Sequence, residues 1–380
     1  MIDREGNASP ARFIGSEIYR GSSYGALHPL RVPRVSTVMD LSRAMGWLPP
    51  ERYLTSPRAK PTALAAWHDP GYLAVLQRAE RDGEVTAEER ARHGLGTASN
   101  PIYPEVFRRP ATAAGGSIMA AGLLARGGTI YNPGGGTHHG LPDRANGFCY
   151  LNDPCLAIVA FRRLGLGRIA YVDIDAHHCD GVVHGFGDDP EVLIVSTHEA
   201  KRWPFTGAIE DRGAGNVWNL PLPRGANDTD MDAVLDALIL PRIEAFAPDA
   251  LIVQCGADAV LEDPLSRLAM SNNAHWAVIR ALRGMSPRLL VLGGGGYNPW
   301  SVGRLWSGVW ATLAECEIPD RLPPAAAAVL RGLEFRGNRL GRNPPEHWFT
   351  TLRDAPRPGA ISEEVASGLS QLARRAPRWV

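Results

Sequence analysis

The side chains best suited to chemistry in this sequence follow short apolar runs, at the points where those runs end. Two adjacent histidines, His138 and His139, lie in a glycine-rich stretch after one such run. The segment 173–180, rich in Asp and His, directly follows a second run, and Asp258 follows a third. In an open parallel sheet, ligands bind beyond the carboxyl ends of the strands. The sequence therefore predicts one site assembled from several strand ends.

Asp175, His177 and Asp258 have the composition of a catalytic metal site. The i, i+2 spacing of Asp175 and His177 at a strand end can present both side chains to one face, and Asp258 reaches the same point from a neighbouring strand. Catalytic sites hold three protein ligands and leave a position open for water. The ligand set does not name the metal, because oxygen-rich sites also suit manganese or iron(II). A purely structural role in caps and salt bridges stays open from the local pattern.

His138 and His139 form a candidate pair for proton transfer. Adjacent histidines are often exposed loop residues, but the flanking glycines let the backbone approach a ligand closely. Asp173 and Asp180 are available to orient the two imidazoles and to set their pKa values apart, as general acid and base catalysis requires.

Four glycines precede Tyr297, and this run has two interpretations. A glycine run can hold a phosphate group, but neither a Walker lysine nor a GxGxxG spacing accompanies it. The other interpretation is a mobile turn that brings the phenol to a reacting carbonyl, where it donates a hydrogen bond to the oxyanion. The local sequence leaves the choice open.

The elements that must position these residues alternate between β-branched apolar runs and helical patterns. This alternation predicts an α/β fold with three α/β/α layers and a mostly parallel open sheet. The predicted strands are 129–131, 168–172, 192–195, 250–253 and 289–292.

Helix signals lie between and after these strands. One helix is predicted to begin with Asp153 as its N-cap and to end near Gly165. The pattern 229–246 is interrupted by Pro241, which predicts a kinked or split helix. Ser301 is the predicted cap of a later helix that carries several tryptophans.

Two segments stand apart from this alternation. Residues 81–101 are charged and Gly-rich, and they are predicted to form a surface excursion near a site entrance. Residues 337–358 are rich in Pro, Arg and Asn and precede a last helical pattern at 362–374. This tail is expected to wrap the domain rather than to form a second one.

Composition and charge narrow the class of protein. The 380 residues carry 40 Lys+Arg and 40 Asp+Glu, so no nucleic-acid partner is expected. No run of about 18 apolar residues is available to span a bilayer, and Met1 to Arg20 lacks the apolar region of a signal peptide. A cytoplasmic protein without a membrane partner is expected. The five cysteines lack a CxxC pair and are expected to be reduced thiols.

Taken together, the motifs resemble those of the zinc-dependent histone deacetylase superfamily, with its bacterial acetoin-utilization and acetylpolyamine amidohydrolase members. The resemblance covers roughly residues 19–315, and it implies a fold of the arginase-deacetylase type. A single domain over 1–380 is expected, with the C-terminal extension 316–380 wrapping it. The motifs in chain order are GTHHG (136–140), GFCYLND (147–153), YVDIDAHHCDG (171–181), GAD (256–258), DP (263–264) and GGGGYN (293–298).

The resemblance also implies roles for the site residues. Asp175, His177 and Asp258 are implied to hold zinc, with iron(II) as an alternative. His139, paired with Asp180, is implied to be the general base and general acid, and His138, paired with Asp173, its electrostatic partner. Tyr297 is implied to be the phenol that stabilises the transition state.

Two further groups of residues follow from the same resemblance. An acyl-lysine channel is implied, with walls formed by Gly147, Phe148, Trp203 and Leu265. A structural potassium ion is implied at Asp173, Asp175, His177, Ser196 and Thr197. Arg31 resembles the arginine near an internal acetate exit, and Phe205 is expected to crowd or reshape the entrance.

Departures from the family pattern bear on the substrate. Residues 97–100 lack the acid that many members carry at the rim, so anchoring of a peptide backbone by a carboxylate is in doubt. Leu265 stands where polyamine-selective members place a glutamate. The expected activity is therefore removal of acetyl or other short acyl groups from N-acyl-lysine side chains of proteins or peptides. An acetylpolyamine or other small N-acyl amine is the alternative, with Glu199, Glu210 or Glu262 as substitute acids.

Two other classes of protein agree less well with the sequence. A dinuclear arginase-like hydrolase needs further carboxylates where Cys179 and Gly256 stand, so one metal is predicted, and Cys179 is expected to be an inert buried residue. A catalytically inactive binding module is expected to have lost ligands or the histidine pair, which this chain retains. The sequence allows a homo-oligomer.

Overall fold

The apolar β-branched runs form one central sheet in the computed structural model, which describes residues 10–336 and 338–376. Within these residues the sheet has eight strands, and every neighbouring pair is parallel. The strands are β1 (Arg12–Gly15), β2 (Tyr53–Thr55), β3 (Gly128–Asn132), β4 (Ile169–Asp173), β5 (Val192–Glu199), β6 (Val217–Leu222), β7 (Ala250–Gln254) and β8 (Arg288–Leu292). Their order across the sheet is β2-β1-β3-β8-β7-β4-β5-β6.

Helices cover both faces of this sheet, as its fully buried central strands require. The helices are α1 (Ile18–Gly21), α2 (Val35–Ala44), α3 (Pro61–Leu64), α4 (Pro70–Asp82), α5 (Ala87–His93), α6 (Arg108–Leu123), α7 (Asp153–Arg163), α8 (Asp180–Phe186), α9 (Asp228–Val234), α10 (Leu240–Phe246), α11 (Asn272–Leu282), α12 (Pro299–Ala314), α13 (Pro324–Arg331), α14 (His347–Thr350) and α15 (Glu363–Ala373).

Alternate residues of the strands enter two different hydrophobic cores. Val172 of β4 belongs to the core shared with α2 and α9–α15, whereas Tyr171, its neighbour, belongs to the core shared with α6, α7 and α8. This period of two places one side chain on each face of the sheet. The three-layer α/β/α arrangement confirms the predicted fold class.

All five predicted strands are confirmed, as parts of β3, β4, β5, β7 and β8. Four agree within one residue at each end, whereas β5 continues to Glu199, four residues beyond the predicted end. The sequence patterns missed three outer strands, β2 and β1 on one side of the sheet and β6 at the opposite edge. β1 and β2 have only four and three residues, too few for a clear period. β6 contains Asn219 and Pro221, residue types that are depleted in strands.

The helix predictions were confirmed in position and wrong about two caps. The N-cap of α7 is Asn152, whose side chain accepts from Cys155 N, and Asp153 is the first residue of the helix. The N-cap of α12 is Asn298, whose side chain accepts from the backbone N–H of Trp300, while Ser301 lies inside the helix. A cap is decided by which side-chain oxygen reaches the free N–H groups.

The pattern 229–246 forms two helices joined without a break. A π-helical turn, Leu235–Ile239, connects α9 to α10, and Pro241 lies in the first turn of α10. Proline is tolerated at this position because its missing N–H is not needed there. The irregularity predicted at Pro241 is therefore a π-helical turn just before it, and the chain stays helical through the proline.

Residues 81–92 are mostly exposed, which confirms the predicted surface excursion, and the segment 81–101 is more ordered than its composition suggested. They contain α5, which begins with a capping box between Thr86 and Glu89. The end of α5 is held against a neighbouring turn, because Ala145 N donates to His93 O at 2.9 Å. The segment thus forms part of the wall around the carboxyl ends of the strands.

The C-terminal part of the chain packs on the sheet and its helices. Gly337, where the predicted tail begins, lies outside the described residues. Asn272 Nδ2 donates to Leu352 O at 2.6 Å, and α15 packs in the same core as α9. The extent of α15 confirms the last predicted helix. No helix in the described ranges is long and apolar enough to cross a membrane.

The contact between α11 and α12 gives a test of this packing. A Cβ added at Gly308 would lie 2.1 Å from the indole of Trp276, and overpacking of this kind costs about 1–3 kcal/mol. We expect Gly308→Ala to lower the free energy of unfolding by that amount in denaturant titrations. Gly122→Ala is the control, because that helical position has open space, and it should be neutral or stabilising. Equal midpoints for both variants would contradict the packing described.

Candidate active site

Asp175, His177 and Asp258 meet at one buried point, although the third is far from the first two in sequence. Candidate ligand atoms of the three residues all lie within 4.8 Å of one another. Nδ1 of His177 is 3.2 Å from Asp175 Oδ1 and 3.0 Å from Asp258 Oδ2. Among the described residues this is the one such group of three or more His, Cys, Asp or Glu side chains.

The sheet brings these residues together because β4 and β7 are neighbours. Each chain segment leaves its strand in parallel, so Asp175 and Asp258 emerge at the same edge. Two glycines allow the close approach: a Cβ on Gly256 would lie 1.9 Å from Asp175 Oδ2, and one on Gly295 would lie 2.0 Å from Asp258 Oδ2. Any larger residue at either position would displace a carboxylate.

Hydrogen bonds hold the two carboxylates in place from behind. Asp175 Oδ2 accepts from Gln254 Nε2 and from Gly295 N, both at 2.8 Å, and Asp258 Oδ1 accepts from Ala176 N at 3.1 Å. Sequence reasoning missed Gln254, whose only signal was its position as the last residue of an apolar run.

The donor set of this group fits a divalent cation. Burial raises the pKa of the Asp258 carboxyl, and the charge of Asp175 raises it further, because two like charges are held together out of water. A divalent ion between them would offset both effects. Two carboxylates with one imidazole suit zinc or iron(II), and Asp175, His177 and Asp258 would hold it.

The two histidines of the predicted pair stand side by side, each on its own aspartate. His138 Nδ1 is 2.7 Å from Asp173 Oδ2, and His139 Nδ1 is 2.6 Å from Asp180 Oδ1. The ring centroids are 4.0 Å apart. Tyr171 donates its O–H to the same Asp173 oxygen at 2.6 Å.

Different surroundings set the pKa values of the two imidazoles apart. Burial alone would lower the pKa of His138, but the charges of Asp173 and Asp175 outweigh it and raise the pKa to about 9. Burial, followed by the charge of His138, lowers the pKa of His139 to about 4. At neutral pH His138 is therefore the cation and His139 is a neutral base.

The first turn of α7 holds the loop that carries this pair. Asp153 accepts from the backbone N–H groups of Gly136 and Thr137 at 3.1 and 2.8 Å. Asn152 Nδ2 donates to the carbonyls of His138 and Gly140 at 3.1 and 2.9 Å. Both side chains are fully buried. The sequence placed Asp153 as a cap, whereas its carboxylate faces this loop.

A cleft of about 520 Å³ opens onto these groups. Its described lining residues include parts of the segment 94–100, the turn 144–148, and single residues from later loops. The lining residues are Gly94, Thr97, Ser99, Asn100, His139, Arg144, Ala145, Asn146, Gly147, Phe148, His177, Arg202, Trp203, Leu265 and Tyr297.

Tyr297 presents its ring to this cleft from the end of the glycine run. Its backbone N–H donates to Asp263 Oδ2 at 2.7 Å, and its ring centroid is 5.9 Å from that of Phe148. Burial, followed by the charge of Asp258, raises the pKa of the phenol well above its ordinary value. The phenol therefore stays protonated and can donate a hydrogen bond.

The four predicted channel residues all line the cleft. Trp203 packs on His139 with ring centroids 4.6 Å apart, and a Cβ on Gly147 would lie 2.1 Å from the Trp203 indole. Phe148 and Leu265 complete the apolar lining. Phe205 was predicted to crowd the entrance, but its side chain is 74% exposed and it is not among the lining residues.

The residues implied for potassium lie next to the candidate metal group. Ser196 of β5 is paired in register with Asp173 of β4, and Thr197 Oγ1 donates to Asp173 O at 3.4 Å. Both β5 residues are buried. A cation site at this place stays a prediction.

The substitute acids suggested for a polyamine substrate do not line the cleft. Glu199 is buried and forms a bidentate ion pair with Arg202 at 2.8 and 2.7 Å. Glu210 is exposed and accepts from Gln371 Nε2 at 3.3 Å. Glu262 is also absent from the described lining residues.

Arg31 was predicted to lie near an internal acetate exit, but its guanidinium lies at the surface. Its guanidinium donates to the carbonyls of Ala26 and Arg336 at the surface. Arg34, three residues later, instead donates to Gly294 O at 2.6 Å within the glycine run. Of these two arginines, Arg34 is the one that points inward, because it has a carbonyl partner far along the chain.

The fold and the site together define a metal-capable hydrolase scaffold of the arginase-deacetylase type. The histone deacetylase domain family matches residues 28–313 of the chain. The chain belongs to this family.

Solved and curated relatives agree with the family assignment. The acetoin utilization protein AcuC of Bacillus subtilis is 32% identical over 329 residues, which are 82% of this chain and 84% of AcuC. Human histone deacetylase 1 is 30% identical over 79% of this chain and 64% of its own length. The crystal structure of an HDAC homolog from Aquifex aeolicus superposes with a TM-score of 0.92 at 32% identity, covering 96% of this chain and all of that one.

Metal binding by the carboxylate group can be tested apart from activity. We expect the purified protein to bind one zinc ion per chain, and Asp258→Asn to lose most of that affinity, because one charged ligand is removed. Equilibrium dialysis with elemental analysis measures both. Asp188→Asn, at an exposed aspartate, is the matched control and should retain the ion. Stoichiometric zinc in Asp258→Asn would refute the ligand assignment.

Proposed function

We propose that the protein is a zinc-dependent amidohydrolase that removes acetyl or other short acyl groups from N-acyl-lysine side chains of proteins or peptides. The observation that carries this proposal is that His139, His177 and Tyr297 line one cleft, with Asp175 and Asp258 in contact with His177. A base, a candidate metal ligand and an oxyanion donor thus converge where one amide would bind.

When bound, zinc supplies a Lewis acid and lowers the pKa of water to about 7 in hydrolytic sites. Asp175, His177 and Asp258 would hold it, and iron(II) would suit the same ligands. The candidate potassium site is proposed at Asp173, Asp175, His177, Ser196 and Thr197, where a second cation would further offset buried negative charge.

The histidine pair divides the proton transfers. His139 is neutral at physiological pH and accepts a proton from the attacking water, while Asp180 on its Nδ1 orients the ring and stabilises the imidazolium that forms. His138 stays protonated on Asp173 and contributes a fixed positive charge beside the reacting centre. His139 then returns its proton to the departing amine, which leaves as lysine.

Tyr297 stabilises the charge that develops on the substrate carbonyl. Its phenol is protonated, so it donates to the oxygen as that oxygen becomes negative. The donor is fixed in advance, because Asp263 holds the backbone of Tyr297.

The channel favours an acyl-lysine over an acylated polyamine. Phe148 and Trp203 provide apolar walls for a stem of four methylene groups. The described lining residues, which include Leu265, contain no Asp or Glu, so a second cationic nitrogen would find no carboxylate to pair with.

We further infer that the enzyme is cytoplasmic and acts without a nucleic-acid or membrane partner.

Loss of the phenol should slow the chemical step. We expect Tyr297→Phe to lower kcat by at least about 10²-fold on an acetyl-lysine peptide, by analogy with removal of one oxyanion donor. The variant should keep its metal, measured by elemental analysis, because the phenol is not a predicted ligand. Turnover at the wild-type rate would reject the role of Tyr297.

A substrate panel separates the two amine classes. We expect zinc-loaded wild-type protein to deacetylate acetyl-lysine peptides with a higher kcat/KM than acetylated polyamines, because the cleft lacks an acid for the second cation. Release of the free amine measures both reactions. Preference for the polyamines would overturn the lysine assignment, and no turnover on either panel would refute the deacylase function.

A further inference from the structure

The polar side chains around the cleft differ in whether they are free to contact a substrate. Asn100 donates to Gly94 O and accepts from Phe148 N, and Thr97 donates to Gly94 O. Asn146 donates to Asp180 Oδ2 at 3.0 Å. These three side chains hold the walls of the cleft together, so they are engaged before a substrate arrives.

The two arginines of the rim, Arg202 and Arg144, also differ in whether they have a partner. Arg202 forms its bidentate pair with the buried carboxylate of Glu199, which neutralises its charge locally. Arg144 is exposed, and it has no hydrogen-bond or ion-pair partner for its guanidinium among residues 10–336 and 338–376. Besides the exposed Ser99 hydroxyl, Arg144 is the polar side chain of the rim that remains available.

The backbone fixes where Arg144 presents its charge. Leu141 N donates to Arg144 O at 3.0 Å, and the next residue, Ala145, donates to His93 O at 2.9 Å. Nη2 of Arg144 would lie 3.7 Å from a Cβ at Gly94, so the guanidinium stands beside the 94–100 wall. These backbone bonds hold the turn that carries Arg144 at the mouth of the cleft, so its guanidinium is within reach of a group that enters there.

The lining of the cleft differs from its surroundings in the sign of its charged side chains. The described lining residues include no Asp or Glu, and the carboxylates of Asp175 and Asp258 are buried. Clefts lined by one sign of charge concentrate ligands of the opposite sign. The mouth is therefore suited to a substrate that bears negative charge close to the acylated amine.

We propose that Arg144 determines substrate choice by pairing with a carboxylate carried next to the acyl-lysine. This inference rests on the proposed deacylase function and names its substrate class. The carboxylate can belong to the lysine itself, as the free α-carboxylate of an N-acyl amino acid, or to an acidic residue that flanks an acyl-lysine in a peptide. Both sources offer the planar oxygen pair that a guanidinium binds in bidentate fashion.

Two matched substrate pairs test the proposal with zinc-loaded full-length protein. The first pair is α-N-blocked Nε-acetyl-lysine with a free α-carboxylate and its α-carboxamide. The second is an acetyl-lysine peptide with Asp beside the lysine and the same peptide with Asn. We expect the carboxylate member to have about 3- to 5-fold higher kcat/KM at low salt in at least one pair, the size of an exposed ion pair. The ratio should fall toward one at about 0.5 M salt.

Variants assign that preference to one side chain. Arg144→Gln should reduce the carboxylate-to-neutral ratio to about one. Arg126→Gln is the matched control, because Arg126 is an exposed arginine that precedes β3, at the opposite end of the sheet, and it should keep the wild-type ratio. A preference in only the first pair identifies small acyl amino acids, and one in only the second identifies acidic segments of proteins.

Two results would overturn the proposal while leaving the deacylase function intact. One is equal kcat/KM for both members of each pair in the wild type. The other is a carboxylate preference that survives in Arg144→Gln, which would assign it to Arg202 or Ser99. No turnover of any of the four substrates would instead refute the deacylase function, and this inference with it.

Discussion

Two carboxylates buried side by side are the constraint on which the rest of the site depends. Removing even one charge from water costs several kcal/mol unless partners compensate, and Asp175 and Asp258 are both inaccessible. Backbone N–H groups and Gln254 donate hydrogen bonds to these carboxylates. Gly256 and Gly295 need to be glycines, because a Cβ at either position would occupy the space of a carboxylate oxygen. His177 lies on their other side. Burial lowers the pKa of its imidazole, but hydrogen bonds to the two carboxylates and their charges outweigh burial and raise the pKa to about 10. A divalent cation held by these three residues would take the place of that proton, and the parallel strand ends that bring the carboxylates together would also define where such an ion binds.

The histidine pair shows how one fold gives two identical side chains different pKa values. His138 lies on the fully buried Asp173, close enough to Asp175 that protonation is favoured in spite of burial. His139 lies beside that cation, so its own protonation is opposed. The difference therefore depends on the spacing of the two rings, which the loop sets. Because Asp153 and Asn152 bind that loop from a helix end, the first turn of α7 stabilises the spacing of the two imidazoles.

The parts of this structure that follow from local periodicity were predictable, and those that depend on distant partners were not. The buried strands and the grouping of Asp175 with Asp258 follow from apolar runs and from the rule that parallel strands end at one edge. The inward position of Arg34 depends on Gly294 O, a partner 260 positions away, and no local pattern distinguishes Arg34 from Arg31. The exposure of Phe205 was unpredictable for a similar reason, because it is decided by the path of the loop after Trp203. In the sequence Gln254 looks like any residue at the end of a strand, because its partner, the Asp175 carboxylate, belongs to a distant segment of the chain.

The interior and the rim of the cleft obey different electrostatic requirements. In the interior each charged side chain of the site has a partner a few ångströms away. Replacement of one of them leaves its partner uncompensated, so these residues can change only together. At the rim, charges face water and are individually worth little to stability, so single residues there can change without disturbing the fold. The chain has zero net charge, yet the described lining residues of the cleft include an unpaired guanidinium and no carboxylate. The proposed substrate preference would thus be set where the fold is least constrained, and the proposed chemistry where it is most constrained.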